Sequence, residues 1–139
     1  MNANQNSSGR SGHAAFRWLL VPVIFAAAIA HIPVIGPHLE QAPYMGVLFI
    51  LLTAACIGIG IAVAVTDHPA AYAAASAVCG AAVIGYVATR LVAFPQLADD
   101  VGNWFEPLGV VSVLTESVVV VLAVAVLRRM SGVQQIREG

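Results

Sequence analysis

The sequence predicts an all-α integral membrane protein, a bundle of four transmembrane helices with both termini in the cytoplasm. Of its 139 residues, 60% are hydrophobic and only 9% are charged, and the apolar residues fall into four long runs. A soluble domain keeps about a quarter of its residues charged. This chain has too little charge to cover a surface in water, so its surroundings are lipid.

The four apolar runs define the predicted spans. Each is close to the roughly 20 residues that a helix needs to cross a hydrocarbon core about 30 Å thick. In lipid, every backbone amide must be satisfied within its own segment, which favours helices over strands. The transmembrane domain covers residues 16–130, between a flexible polar N-terminal tail (1–15) and a polar C-terminal tail (131–139). The spans are residues 18–35, 44–65, 70–88 and 108–127.

Proline positions predict where the helices begin and end. Pro33, Pro37 and Pro43 interrupt the chain between the first two spans, and Pro95 ends the third. Pro107 suits the first turn of the fourth helix, where its missing N–H costs no hydrogen bond. We therefore expect the first helix to stop before a broken connection to the second.

The distribution of arginine predicts the orientation. Arg10 and Arg17 precede the first span and three more arginines follow the fourth, whereas loops 36–43 and 95–106 contain none. Positively charged segments stay in the cytoplasm, so both termini lie there and the number of spans is even. We expect a multi-pass protein of the bacterial cytoplasmic (inner) membrane.

Small residues recur at every fourth position of the third span, at Ala73, Ala77, Ala81 and Gly85. Such a stripe lets helix backbones approach closely, which predicts a compact bundle and leaves open a homodimer or a place in a larger membrane complex. The lipid bilayer is the other expected partner. The net charge of −1 and the lack of a basic stripe argue against nucleic acid.

Glu116 is the most informative polar residue. It lies nine positions after Pro107, hence about 13 Å into a helix that crosses about 30 Å of hydrocarbon. An acidic residue at that depth costs roughly 3 kcal/mol on insertion scales and normally faces the bundle interior or a water-filled cavity. It is interpreted as a proton-binding carboxylate, a metal ligand or a substrate counter-ion. The structural alternative is a protonated glutamate hydrogen-bonded to another helix.

A second polar group gathers at the outer ends of the spans. His31 ends the first span, and His38 and Glu40 follow in the outer loop. Two imidazoles beside a carboxylate suit a divalent metal such as zinc or copper. This metal site is one hypothesis for the outer surface. A pocket for a polar substrate or partner and a simple solvated rim are the others.

Tyr44, Arg90 and Glu106 belong to the same predicted leaflet as these histidines. Together with Glu116 they are the candidate ligand-binding or proton-binding residues. A guanidinium at the end of a span seldom stays unpaired, so we expect an ion pair between Arg90 and Glu106 that pins the third helix to the fourth.

Two further features have a structural and a functional interpretation. Cys56 and Cys79 lie in apolar runs without zinc spacing, so we expect buried packing residues, with a helix-to-helix disulfide or redox pair as the alternative. Ala28-Ile29-Ala30 resembles a signal-peptide cleavage site that would leave His31 as a copper-binding N-terminus. The apolar run continues to Ile35, which favours the uncleaved chain.

Three stretches bear on family membership: His38 to Gly46 with Phe49, Arg90 to Pro95, and Glu106 to Gly109 with Ser112 and Glu116. Together they resemble an uncharacterised family of small four-span bacterial integral membrane proteins. Its members tend to read Gly-Leu-Pro-Gly where this chain has Ala93-Phe94-Pro95-Gln96. The resemblance covers about His31 to Leu127 and implies no reaction. The positions it singles out are His31, His38, Glu40, Tyr44, Arg90, Glu106 and Glu116.

Three functional hypotheses follow. The favoured one is a binding or accessory protein, rather than an enzyme, whose outward-facing polar pocket holds a metal ion, small ligand or partner subunit. The second is a small proton-coupled transporter that uses Glu116. It resembles small multidrug exporters, although those carry the glutamate in the first helix. The third is a b-type haem or quinone oxidoreductase component, because helical bundles hold cofactors between facing helices.

Overall fold

The computed structural model describes residues 3–138, and side chains over residues 14–132. This part of the chain is all-α. A short 3₁₀ turn (Ala98–Asp100) lies in the loop before the last helix. The helices in chain order are α1 (Ala3–Gln41), α2 (Pro43–Thr66), α3 (Pro69–Leu91) and α4 (Pro107–Glu138).

All four helices are long and apolar enough to cross a membrane. Large apolar side chains cover the outside of the bundle: Leu51, Ile84 and Val121 are 60%, 71% and 66% exposed. A continuous apolar surface of this kind suits lipid rather than water. The prediction of four helices able to span a membrane is confirmed, and the cytoplasmic location of the termini stays a prediction. The apolar stretches are Ala14–Gln41, Pro43–Thr66, Pro69–Leu91 and Pro107–Gly132.

The prolines do not break the first helix. α1 continues to Gln41 with Pro33 and Pro37 in its interior, so the predicted break at these two residues was wrong. A proline removes one intrahelical hydrogen bond, whereas unwinding the chain in lipid would leave several backbone groups unpaired. Continuing the helix through the prolines therefore costs less free energy than unwinding it.

The connection between α1 and α2 is a single residue, Ala42, which is fully buried. Its carbonyl oxygen accepts hydrogen bonds from the backbone N–H groups of Met45 (2.8 Å) and Gly46 (3.2 Å). A Cβ atom at Gly46 would lie 2.7 Å from the backbone nitrogen of Leu39. Only glycine at this position lets the two helices meet so closely.

The polar segments at the two ends of the chain have a helical backbone over most of their length. The backbone is helical from Ala3, so most of the segment predicted as a flexible tail extends α1, and α4 likewise continues to Glu138. No proline lies between Ala3 and Arg17, and extending an existing helix costs far less than starting one. Residues 1, 2 and 139 lie outside the described part of the chain.

The helices form a ring in which each packs on two neighbours. α1 packs on α2 and α4, and α3 packs on α4 and, least extensively, on α2. The buried apolar core lies mainly in the half of the bundle nearer the chain termini, which we call the terminal half. The half that carries Ala42 and the α3–α4 loop, the loop half, holds most of the candidate site residues. The core includes Leu20, Ile24, Val63, Tyr72, Val119 and Val126.

Arg17 joins α1 to the end of α2 in the terminal half. Its Nε donates a hydrogen bond to the Val63 carbonyl (2.9 Å) and its Nη2 to the Ala64 carbonyl (2.7 Å). Both carbonyls belong to the last turn of α2, which has no further N–H groups to pair with them. Arg17 Nη1 also lies 3.6 Å from Asp67 Oδ2, and Asp67 accepts a hydrogen bond from Tyr72.

Replacing Arg17 with glutamine should lower the free energy of unfolding by about 1.5–3 kcal/mol, because hydrogen bonds from a charged donor to buried carbonyls are lost. Unfolding in mixed detergent–SDS micelles, followed by circular dichroism, measures this change. The control is Arg128→Gln, since Arg128 is exposed on α4. Equal losses of stability in the two variants would contradict the bridging role of Arg17.

Candidate functional site

A cavity of about 680 Å³ occupies the loop half of the bundle. All four helices line it, and most of its walls are apolar side chains such as Leu48, Phe49 and Leu52 of α2 and Ala82 of α3. Ligand sites for small molecules typically have volumes of about 300–1,000 Å³ and mostly apolar walls with a few placed polar groups. The polar groups here are His31, His38, Tyr86, Thr89, Arg90, Asp100, Glu106, Ser112 and Glu116.

His31 and Glu116 face each other across the interior from α1 and α4. The Nε2 atom of His31 lies 3.2 Å from Oε1 of Glu116, and their side chains are only 3% and 2% exposed. The other ring nitrogen, Nδ1, lies 2.7 Å from the carbonyl oxygen of Ala27. A carbonyl only accepts hydrogen bonds, so Nδ1 carries a proton. Glu116 therefore lies in the bundle interior and not against lipid.

One proton must lie between His31 and Glu116. With Nδ1 protonated, Nε2 of a neutral imidazole carries a lone pair, which repels an ionised carboxylate at 3.2 Å. Either Nε2 is protonated and Glu116 is ionised, or the carboxyl group holds the proton. In both cases the pair is neutral overall, which limits the cost of burying it in lipid.

The contact between the two side chains does not use all the hydrogen-bonding capacity of Glu116. The atoms are close but poorly aligned, and Oε1 is fully buried without a hydrogen-bond partner in good geometry among the described residues. Such an acceptor costs about 1–3 kcal/mol when it stays unsatisfied. Because Glu116 lines the cavity, the missing partner can come from a bound molecule.

Arg90 lies in the last turn of α3 and is only 6% exposed. Its Nη1 forms an ion pair with Asp100 Oδ1 (3.1 Å) and also donates a hydrogen bond to the Asp100 carbonyl (3.2 Å). The guanidinium lies 4.6 Å from the centre of the Tyr86 ring. Its Nε is buried and has no hydrogen-bond partner within the described part of the chain.

Glu106 does not form the predicted ion pair with Arg90. Its carboxylate accepts hydrogen bonds from the backbone N–H groups of Leu108 (3.1 Å) and Gly109. These N–H groups belong to the first turn of α4, where they have no intrahelical partner and where the helix dipole favours a negative charge. Glu106 thus caps α4, and the α3–α4 loop brings Asp100 to the guanidinium instead.

The remaining candidates lie apart from one another. His38 lines the cavity and its Nδ1 contacts the Val34 carbonyl at 2.8 Å, but Glu40 is exposed. Tyr44 donates a hydrogen bond to the Pro95 carbonyl (2.7 Å) and holds the loop on α2. Within the described residues, no three His, Cys, Asp or Glu side chains are placed to hold a metal ion. His31, His38 and Glu40 therefore do not form one ligand set in this structure.

Cys56 of α2 and Cys79 of α3 are both buried free thiols, as expected for packing residues. Their side chains interact with each other across the α2–α3 interface, and Cys56 also lies near His31 and Glu116. Neither cysteine lines the cavity. Each helix thus contributes one polar or thiol side chain to the middle of the bundle. These are His31 of α1, Cys56 of α2, Cys79 of α3 and Glu116 of α4.

The partnership of His31 with Glu116 was not predicted, although the sequence carries a signal for it. Once α1 is taken through its prolines to Gln41, His31 lies ten residues from that end, or about 15 Å. Glu116 lies nine residues from the start of α4, or about 13 Å. Equal depths on two neighbouring helices would have suggested the pair.

No family model, no curated protein and no solved structure matches this chain. The resemblance noted from the sequence therefore rests on its motifs alone. The fold and the cavity define the class of molecule, a chain of four helices able to span a membrane with a small-molecule-sized cavity among them.

A double-mutant cycle should show that His31 and Glu116 are energetically coupled. His31→Leu and Glu116→Leu each leave one buried polar group alone, whereas the double variant removes both, so the coupling free energy should be about 1–3 kcal/mol. Unfolding of the four proteins in mixed micelles gives this value. The control cycle pairs Glu116→Leu with His38→Leu, whose effects should add to within about 0.5 kcal/mol. An additive His31–Glu116 cycle would contradict the shared proton.

Proposed function

We propose that this protein binds a small, largely apolar ligand with a hydrogen-bonding head in the cavity of its loop half. We also propose that it lies in the bacterial cytoplasmic membrane with both termini inside, so that the cavity occupies the outer leaflet. The observation that carries the proposal is a pair of buried polar atoms, Arg90 Nε and Glu116 Oε1, that have no well-aligned hydrogen-bond partner among the described residues and belong to two residues lining one cavity.

Unsatisfied groups of this kind are uncommon in folded proteins and call for a partner. Arg90 Nε is a donor, so the ligand should offer at least one acceptor, whereas the Glu116 carboxyl group donates when it holds the shared proton and accepts when it is ionised. The apolar walls, including Leu48, Phe49 and Leu52, contribute most of the binding free energy through burial of apolar surface. The polar groups orient the ligand and select it.

The His31–Glu116 pair gives the site an adaptable polar end. Because the two side chains share one proton, the pair can present a protonated carboxyl group or an ionised one beside the cavity. The bound molecule stabilises whichever arrangement matches its own head. The pair therefore supplies hydrogen bonds without requiring a net charge in lipid.

The other hypotheses from the sequence have less support. A metal version lacks a set of three ligands within the described residues. Haem would need axial ligands on facing helices, but His31 and His38 lie on the same helix. A proton-coupled transporter is favoured by one observation, the position of Glu116 beside the cavity. It remains the second candidate.

Filling the cavity should displace its ligand. Ala82→Phe places a phenyl ring in the space lined by Ala82, and overpacking by such a group costs about 1–3 kcal/mol, which is about a tenfold loss of occupancy or more. The protein is extracted directly into lipid nanodiscs. Small molecules released by organic solvent are then quantified against protein by mass spectrometry.

The matched control is Ala77→Phe, because Ala77 is exposed on the same helix and does not line the cavity. Wild type and Ala77→Phe should both retain the same compound in near-equal amount to protein. If no compound beyond bulk lipid is retained, or if Ala82→Phe leaves its amount unchanged, the ligand-binding function is rejected.

A further inference from the structure

The cavity has an incomplete wall between α2 and α3. Leu48 and Leu51 line it from α2 while 53% and 60% of their surfaces are exposed on the outside of the bundle. On α3, Ala81 and Gly85 also line the cavity and are exposed. Because α2 and α3 pack least extensively of the neighbouring helices, these four residues border a lateral opening.

The small residues of α3 leave this opening rather than closing it. A Cβ atom at Gly85 would meet nothing within 4 Å. The stripe of small residues was expected to bring helices together, but at Ala81 and Gly85 it borders empty space. A larger side chain at Gly85 would narrow the gap without a clash.

The opening lies at membrane depth. Leu48 is five residues from the start of α2 and Gly85 is six residues from the end of α3, which places both about 7–9 Å from the helix ends. Both helices are long and apolar enough to span, and the hydrocarbon core is about 30 Å thick. The opening therefore faces lipid chains, and a molecule that passes through it comes from the bilayer.

Each of the charged groups described above already has a partner. The guanidinium of Arg90 is neutralised by Asp100, and His31 and Glu116 share one proton. The carboxylate of Glu106 is held by the first N–H groups of α4. The one formal charge left among these groups, on Glu106, is already stabilised by the N-terminus of α4, so the site suits a neutral molecule better than a further ion. What remains is the Nε–H of Arg90, a strong donor that lacks an acceptor among the side chains and backbone that the structure describes.

The aromatic side chains in the cavity walls also favour a ligand with a planar head group. The Phe49 ring lies 5.5 Å from the His31 ring and 4.9 Å from the His38 ring, measured between ring centres. Phe49 and Tyr86 both line the cavity. Planar faces of this kind pack well on another ring.

We propose that the ligand is a neutral, membrane-dissolved molecule with a ring-carbonyl head of the quinone type, which enters from the bilayer between α2 and α3 and accepts a hydrogen bond from Arg90. This inference rests on the function proposed above and names its ligand class and route. No electron transfer is involved. The apolar tail lies at the opening beside Leu48 and Leu51, and the ring lies further inside.

The test uses decylubiquinone as the probe and Trp104 as the reporter. Trp104 is one of two tryptophans in the chain, and its carbonyl accepts a hydrogen bond from the cavity residue Tyr86 (2.8 Å). Replacing the other tryptophan in Trp18→Phe leaves Trp104 alone. In lipid nanodiscs, quinone binding should quench its fluorescence and reach saturation as the quinone-to-lipid ratio rises.

Two variants in this background test the route and the head contact. Gly85→Leu narrows the opening, and Arg90→Lys keeps the charge that pairs with Asp100 but removes the Nε–H. Arg90→Lys should weaken binding by about tenfold or more, the effect of one hydrogen bond to a charged group. Gly85→Leu should weaken it by about tenfold as well, because its side chain fills the space at the opening that the apolar tail occupies. The control is Gly58→Leu, because Gly58 also has open space around it and does not line the cavity. Its affinity should equal that of the parent.

Circular dichroism and unfolding in mixed micelles establish that each variant is folded, and Gly85→Leu keeps the test decisive should Arg90→Lys be unstable. Linear, non-saturating quenching in every protein overturns the inference, as does equal affinity in Gly85→Leu and Gly58→Leu. A retained molecule that is charged or water-soluble, displaced by Ala82→Phe, also overturns it but leaves the ligand-binding function standing. Absence of any retained molecule removes both.

Discussion

The arrangement of the loop half depends on one proton held between His31 and Glu116 in a medium that does not solvate charge. A lone carboxylate at this depth would be costly, and the imidazole is fixed by the carbonyl of Ala27. The pair lies just before Pro33 and Pro37, and α1 stays helical through both prolines. The same lipid that penalises the charge also penalises unwinding, because unpaired backbone groups find no water there. One constraint thus explains both the long helix and the buried pair.

The two halves of the bundle differ in how completely side chains fill the space between the helices. In the terminal half, large side chains such as Leu20, Ile24 and Tyr72 fill the space between the helices, and Arg17 fastens α1 to α2. In the loop half, small residues on α3 leave a cavity that is lined in part by polar side chains. Close packing makes the terminal half rigid, and this rigidity holds the helices around the cavity of the loop half.

The sequence was sufficient for the four helices, because hydrophobic runs of membrane length have few alternatives. It was insufficient for the partners of the polar residues. Arg90 was expected to pair with Glu106, but loop conformation decides this contact, and the loop brings Asp100 instead. The interruption at Pro33 and Pro37 was predicted from rules that apply in water, where freed carbonyls are hydrated. The interior position of Glu116 could be predicted from its depth in the membrane. Its partner, His31, could be predicted only once the end of α1 was known.

The buried connection at Ala42 and the close approach of Gly46 to Leu39 join α1 and α2 into one tightly packed helical hairpin. α3 and α4 are joined differently, by the fifteen residues between Leu91 and Pro107. The seam between α2 and α3 is closed in the terminal half by the two-residue connection from Thr66 to Pro69, and it is the least extensively packed of the four helix interfaces. The gap in this seam therefore lies at the end away from that connection, on one side of the molecule only.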